Sequence, residues 1–188
     1  MQIGILAVQG AFIEHKKMIE ELGSSCTLLR SKKDLAHLNG LILPGGESTV
    51  QGRLLERLDM MTELRELIQD GLPTLATCAG LILLAEHVEN DPASYLATLP
   101  VSVVRNAYGR QLGSFSTTAP LKGFGTFPMT FIRAPYIKSV SKEVEVLATV
   151  DERIVAVSYQ NQIALSFHPE LGCDVRIHKA FLERIAKA

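Results

Sequence analysis

The chain has 188 residues, 47% hydrophobic and 21% charged, enough to bury the core of one globular domain over residues 1–188 and short for two. Its 19 Lys plus Arg against 20 Asp plus Glu leave a formal charge of -1, which disfavours nucleic acid and anionic membrane as partners. The longest uncharged stretch, Gly71 to Ala85, contains Pro73 and Gly80 and falls short of the roughly 18 to 20 residues that a membrane helix needs.

The first element is a strand signal from Gln2 to Val8. No basic residue precedes its apolar run, which passes directly into Gln9-Gly10; this is unlike a secretory signal and favours a cytoplasmic protein. Phe12 to Leu22 follows with Phe12, Ile19 and Leu22 on one helical face, then a strand signal at Cys26 to Leu29, giving a β-α-β start. Leu41 to Leu43 is a short strand ending in Pro44-Gly45-Gly46. Met60, Met61, Leu64, Leu67 and Ile68 carry a helical period that Gly71 closes. Leu72 to Thr77 reads as a buried strand and Leu81 to Ala85 as the helix after it. This alternation predicts an α/β fold of three layers, flavodoxin-like, with a mostly parallel central sheet and helices on both faces.

Between Pro100 and Arg133 the pattern breaks into short β-prone runs separated by Gly109, Gly113, Pro120, Gly123, Gly125 and Pro128, an irregular and partly antiparallel insertion. Val144 to Val150, Arg153 to Tyr159 and Ile163 to Phe167 are three strand signals with Asp151-Glu152 and Asn161-Gln162 as turns, as expected of antiparallel edge strands. His178, Phe181, Leu182 and Ile185 place a last amphipathic helix on the sheet.

Ala76-Thr77-Cys78-Ala79-Gly80 carries small residues two before and two after a nucleophilic side chain, between a strand and a helix. This is the pattern of a nucleophile elbow, a turn so tight that larger flanking side chains collide. Cys78 then sits at a helix N-terminus, where free amides favour a thiolate and can hold an oxyanion. The alternative is a buried core cysteine. The base is His168 in Ser166-Phe167-His168-Pro169-Glu170: residues two apart in extended chain project to one side, which brings Glu170 to the imidazole it would orient. Pro44-Gly45-Gly46-Glu47-Ser48 lies at the end of a parallel strand, where ligands of open α/β sheets bind. Gly46 can supply one oxyanion amide and Ala79 the other.

Cys26, Cys78 and Cys173 are three and widely spaced, which argues against a disulfide framework; Cys26 is expected in the core. A zinc site from His168, Cys173 and His178 lacks a fourth ligand, and no metal is expected. No phosphate-loop or dinucleotide glycine motif occurs.

Pro44-Gly45-Gly46-Glu47-Ser48, Thr77-Cys78-Ala79-Gly80 and His168-Pro169-Glu170, in this order, resemble the class I (triad) glutamine amidotransferases. Gly4 to Phe12, Arg105-Asn106-Ala107-Tyr108-Gly109-Arg110-Gln111, Phe131-Ile132-Arg133-Ala134-Pro135 and Ser166 to Leu171 are similar to the glutaminase subunits of pyridoxal 5'-phosphate synthases. The resemblance runs through essentially the whole chain. It implies hydrolysis of L-glutamine to glutamate and ammonia through a glutamyl thioester, by a triad of Cys78, His168 and Glu170 and without a cofactor. It also implies a glutamine pocket of Gly46, Glu47, Ser48, Arg105, Ile132 and Arg133, and delivery of ammonia to a synthase subunit (PdxS/SNZ family) in a hetero-oligomeric complex for vitamin B6 biosynthesis. The chain departs from the family at Ala76, where Gly is common, and at Gly172-Cys173, where Thr usually follows His-Pro-Glu-Leu; Cys173 is then a thiol open to oxidation. The rival readings are a cysteine hydrolase or peptidase on a similar elbow, which needs no arginine pair, and a regulatory subunit with a dead site.

Overall fold

The computed structural model describes residues 1–89, 91–106 and 113–188; residues 107–112, and with them Gly109, Arg110 and Gln111, lie outside the described residues. The apolar β-prone runs of the N-terminal half become four short parallel strands, β1 (Ile3–Leu6), β2 (Cys26–Leu29), β3 (Gly40–Leu43) and β4 (Thr74–Thr77). They are buried on both sides except at β2, as parallel strands covered by helices must be. β5 (Ala85–Val88), β6 (Leu99–Val104), β9 (Tyr136–Val140), β10 (Glu145–Val150), β11 (Arg153–Tyr159) and β12 (Gln162–Leu165) complete a 10-stranded sheet. Its order is β2-β1-β3-β4-β12-β11-β9-β6-β5, with β10 paired to β11. β7 (Ser114–Leu121) and β8 (Gly125–Ile132) form a separate antiparallel hairpin.

Alternate residues of each strand feed two apolar layers. Leu41, Leu43 and Ala76 face α2 (Ser48–Arg57), α3 (Met61–Gln69) and α4 (Ala79–Leu84) through Leu55, Leu64 and Leu81. Ile3, Ile42, Leu75 and Leu165 face α1 (Phe12–Glu21) and α5 (Arg176–Ile185) through Ile19, Phe181 and Ile185, together with Phe127 and Phe131 of the hairpin. The expected layering and mostly parallel sheet are therefore present. Among the described residues no helix is long and apolar enough to cross a membrane.

Several local expectations are corrected. The antiparallel pairing expected between Pro100 and Arg133 is present, but in its described residues the segment is regular: β7 and β8 form a hairpin with eight paired positions. Its prolines, Pro120 opposite Thr126 and Pro128 opposite Thr118, are tolerated because each strand of a two-stranded ribbon keeps one unpaired edge. α2 has no counterpart in the apolar period, because its buried face is Ser48, Gln51, Gly52 and Leu55, polar or small at three of four positions. β5 and β9 also lack a sequence signal. The helix expected at Leu81 starts at Ala79, directly after Cys78. β12 stops at Leu165, two residues short of Phe167, and lies inside the sheet, parallel to β4 and antiparallel to β11. Cys26 is half-buried beside the core rather than within it.

Register sets the site. Leu43 pairs with Ala76, and Thr77 with Leu165, so β3, β4 and β12 end level. Gly45, Cys78 and His168 therefore leave the sheet together.

Candidate active site

Cys78 joins β4 to α4 with φ 48° and ψ -101°, a left-handed backbone that a residue with a side chain adopts only when its surroundings impose it. The Cys78 amide donates to Leu165 O at 2.8 Å, and its carbonyl accepts the first bond of the helix, from Ile82. A β-carbon on Gly80 would collide with the Leu43 carbonyl, which explains the small residue two beyond the nucleophile. Ala76 is fully buried between Leu43 and Ala164, and the sheet accommodates its methyl. The Cys78 side chain is 6% exposed; its Sγ donates weakly to Ile132 O at 3.9 Å.

His168 follows β12 with its amide bonded to Thr130 O at 2.8 Å, which ties the loop to the β7–β8 hairpin. Its ring lies against Gly45, where a β-carbon would strike it. Nδ1 meets Glu170 Oε1 at 2.7 Å, the geometry of an imidazole oriented by a carboxylate. Burial pulls the His168 pKa down, but hydrogen bonds with Cys78 and Glu170 outweigh it and push the pKa up to about 10. Burial likewise raises the Glu170 carboxyl, yet His15 and His168 hold it below its ordinary value.

One cavity of about 520 Å³ opens over these groups and is lined by Gly46, Glu47, Ser48, Cys78, Arg105, Ile132, Arg133 and His168, with Gln9, Gly10 and Leu171 beside them. All the expected pocket residues thus converge on it. Glu170 sits behind His168, off the cavity wall. Glu47 caps α2 by accepting from the Thr49 amide at 3.3 Å, while Ser48 is buried in the first turn. The Arg105 guanidinium is held 2.6 Å from Asp91 and 3.4 Å from Glu47. Ile132 and Arg133 are exposed at the end of β8, and Arg133 has φ 44°. The Gly45 carbonyl accepts from Ala11 at 2.9 Å, so the trans peptide turns the Gly46 N–H the other way.

The sequence reading missed the supports. Gln9 Oε1 accepts from the Glu47 amide at 2.8 Å, Gln51 Nε2 donates to Gln9 O at 2.9 Å, and Asp91 anchors Arg105. It also missed His15, whose signal was a polar residue between Phe12 and Ile19 on the apolar stripe of α1. Cys173 is exposed, whereas His178 is buried against His15 at 2.9 Å. Among the described residues no group of three or more His, Cys, Asp or Glu is arranged to hold a metal ion.

Residues 5–187 match the SNO glutamine amidotransferase family. The chain is 63% identical to pyridoxal 5'-phosphate synthase subunit PdxT of Desulfitobacterium hafniense (strain DSM 10664 / DCB-2), over 99% of this chain and 94% of the relative. It is 56% identical to the protein of the same name from Methanocorpusculum labreanum, over 99% and 98%. A solved structure described as a glutamine amidotransferase superposes with a TM-score of 0.94 at 40% identity, covering 98% of each chain.

Proposed function

The chain belongs to the SNO glutamine amidotransferase family, and from that premise we propose that Cys78, His168 and Glu170 hydrolyse L-glutamine to L-glutamate and ammonia through a glutamyl thioester. Its likeness to named subunits of pyridoxal 5'-phosphate synthase makes it the glutamine-hydrolysing subunit of that enzyme, working for vitamin B6 synthesis. The observation that carries the triad is one cavity lined by a cysteine on a strained elbow and by an imidazole that a buried carboxylate holds at 2.7 Å.

The glutamine head group sits among Gly46, Glu47, Ser48, Ile132 and Arg133, with its carboxylate on Arg105. Asp91 and Glu47 already hold that guanidinium in place, so less side-chain entropy is lost when the substrate arrives. The Cys78 thiolate attacks the side-chain carboxamide carbon. The tetrahedral oxyanion rests on the Gly46 and Ala79 amides. His168, as imidazolium, gives its proton to the departing nitrogen, and ammonia leaves the glutamyl thioester. Neutral His168 then takes a proton from water, whose oxygen attacks the thioester. Glutamate departs, returning thiolate and imidazolium. Glu170 keeps the proton-bearing Nδ1 of His168 turned away from the substrate throughout.

The same reading treats residues 1–188 as one glutaminase domain in the cytoplasm, passing ammonia to a synthase subunit. A free glutaminase would waste glutamine, so turnover is weak alone and rises with the partner. Glutamate release with and without the synthase subunit tests this: equal rates refute the coupling. A Cys78→Ala variant that still releases glutamate refutes the nucleophile. Mass spectrometry after treatment with a glutamine-mimicking electrophile should find Cys78 labelled and Cys173 and Cys26 unlabelled. The arginine that pairs with carboxylates favours an amino acid substrate over the peptidase alternative.

A further inference from the structure

Behind the triad lies a cluster of polar side chains that the hydrolysis above does not use. His15 of α1, Thr77 of β4 and His178 of α5 are each fully buried. His15 Nδ1 meets His178 Nε2 at 2.9 Å, and His15 Nε2 lies 3.2 Å from Thr77 Oγ1 and 3.5 Å from Glu170 Oε2. That carboxylate oxygen is buried with no hydrogen bond among the described residues, as is His178 Nδ1. Thr77 Oγ1 in turn accepts the Gly45 amide at 3.0 Å.

Of the two arrangements of the imidazole protons along this chain, one suits the Glu170 carboxylate. If His15 carried its proton on Nδ1, it would donate to His178 Nε2. His178 would then bury an unpartnered N–H at Nδ1, and His15 would aim a bare lone pair at the Glu170 carboxylate. Both are costly at fully buried positions. With His178 protonated on Nε2, the bond runs from His178 to His15 Nδ1. The His15 Nε2–H is then free to face Glu170 Oε2 and Thr77 Oγ1, and the unpartnered atom of His178 is a lone pair, the cheaper of the two. Fixing one imidazole tautomer through the hydrogen bond at its other nitrogen is a general device.

We propose that His15, locked by His178 with its Nε2–H turned to the triad, is a positioning residue that fixes the rear oxygen of Glu170 and, through Thr77, the loop carrying Gly45 and Gly46. The inference rests on the triad reading given above. It places one residue of α1 in contact with both the acid behind the base and the strand-end hydroxyl that holds the oxyanion loop.

The test uses the full chain with its synthase partner present. His15→Leu removes the donor; His15→Gln carries an amide N–H to about the place of Nε2. We expect His15→Leu to lower kcat about 10- to 100-fold, in line with the loss of an outer-shell partner, with KM for glutamine changed less than about twofold. His15→Gln should return kcat to within about threefold of the parent. The acidic limb of the kcat/KM profile should move to higher pH in His15→Leu, because Glu170 loses a group that lowers its proton affinity. The other titratable groups around that carboxylate, His168 beside it, His178 from α5 and Glu14 from α1, are unchanged in the variant. Histidine labelled with nitrogen-15 gives a readout independent of turnover: the His15 ring should show a protonated Nε2 and a bare Nδ1, and His178→Leu should disturb that tautomer. An unchanged kcat in His15→Leu, equal losses in the Leu and Gln variants, or a proton on His15 Nδ1 each overturn the proposal. If His15→Leu does not fold, the labelled parent and His178→Leu decide it. Glutamate release that is independent of Cys78 counts against the triad alone, since the ring assignment stands apart from it.

Discussion

In front of Cys78 the cavity walls, Gly46, Glu47, Ile132 and Arg133, are exposed, whereas behind it His15, Thr77 and His178 have no exposed surface. Charges on the front wall are held in pairs, Arg105 with Asp91 and Glu47, where water competes and each pair contributes little to stability. On the rear wall polar groups meet fully buried, so a satisfied contact holds geometry firmly and a broken one leaves a costly orphan. Substitutions in front should therefore change how glutamine binds, and substitutions behind should change how well the site is held together.

The largest effect belongs to the atom between the walls. Cys78→Ala should lower glutaminase turnover by about 10⁴-fold or more, as removal of other triad nucleophiles does, while thermal unfolding stays close to that of the parent. A collapse of the fold instead would mean that the elbow depends on the thiol.

The pH dependence of stability is the next test. His168 binds its proton more tightly folded than unfolded, with a pKa of about 10 against an ordinary 6.5. Its contribution is fully present below pH 6.5 and is lost as pH rises toward 10, with a slope of at most about 1.4 kcal/mol per pH unit. Urea unfolding across that window should show the decline in the parent and a flatter curve in His168→Gln. Parallel curves would place the charge elsewhere.

On the rear wall, Thr77→Val keeps the shape and leaves the Gly45 amide without its acceptor, for a loss of about 1–3 kcal/mol in unfolding free energy. On the front wall, Arg105→Ala should raise KM for glutamine about tenfold, the worth of a charge-assisted hydrogen bond. Its kcat and unfolding free energy should move little. Should Arg105→Ala unfold the chain and Thr77→Val leave it untouched, the contrast between the walls is wrong.

Much of this was legible from residue types and spacing. The elbow declares itself through Ala76, Cys78 and Gly80, because a tight turn excludes bulk at fixed offsets. His168 and Glu170 do meet, but not through the extended spacing expected of them: Pro169–Leu171 is a 3-10 turn, and it is this turn that brings the carboxylate to Nδ1. Arg105 and Arg133 were identified only through resemblance, since an arginine on a loop carries no local pattern. α2 was hidden because its buried face holds Ser48, Gln51 and Gly52 where an apolar stripe would be sought. The β7–β8 hairpin was hidden because Pro120 and Pro128 look like breaks until it is known that no third strand needs their missing donors.

The amino-acid order by itself determined the parallel α/β core and the elbow and pointed to Cys78, His168 and Glu170 as the candidate triad, since each of these signals lies in residues close together in the chain. Tertiary structure decided which groups stand around them. His15, Asp91, Cys78, Arg105 and His178 are up to 163 residues apart and meet only because β3, β4 and β12 end in register with helices packed on both faces. The protons that the buried histidines carry follow from those contacts, because the energy of a polar group out of water is set by the partners it finds there.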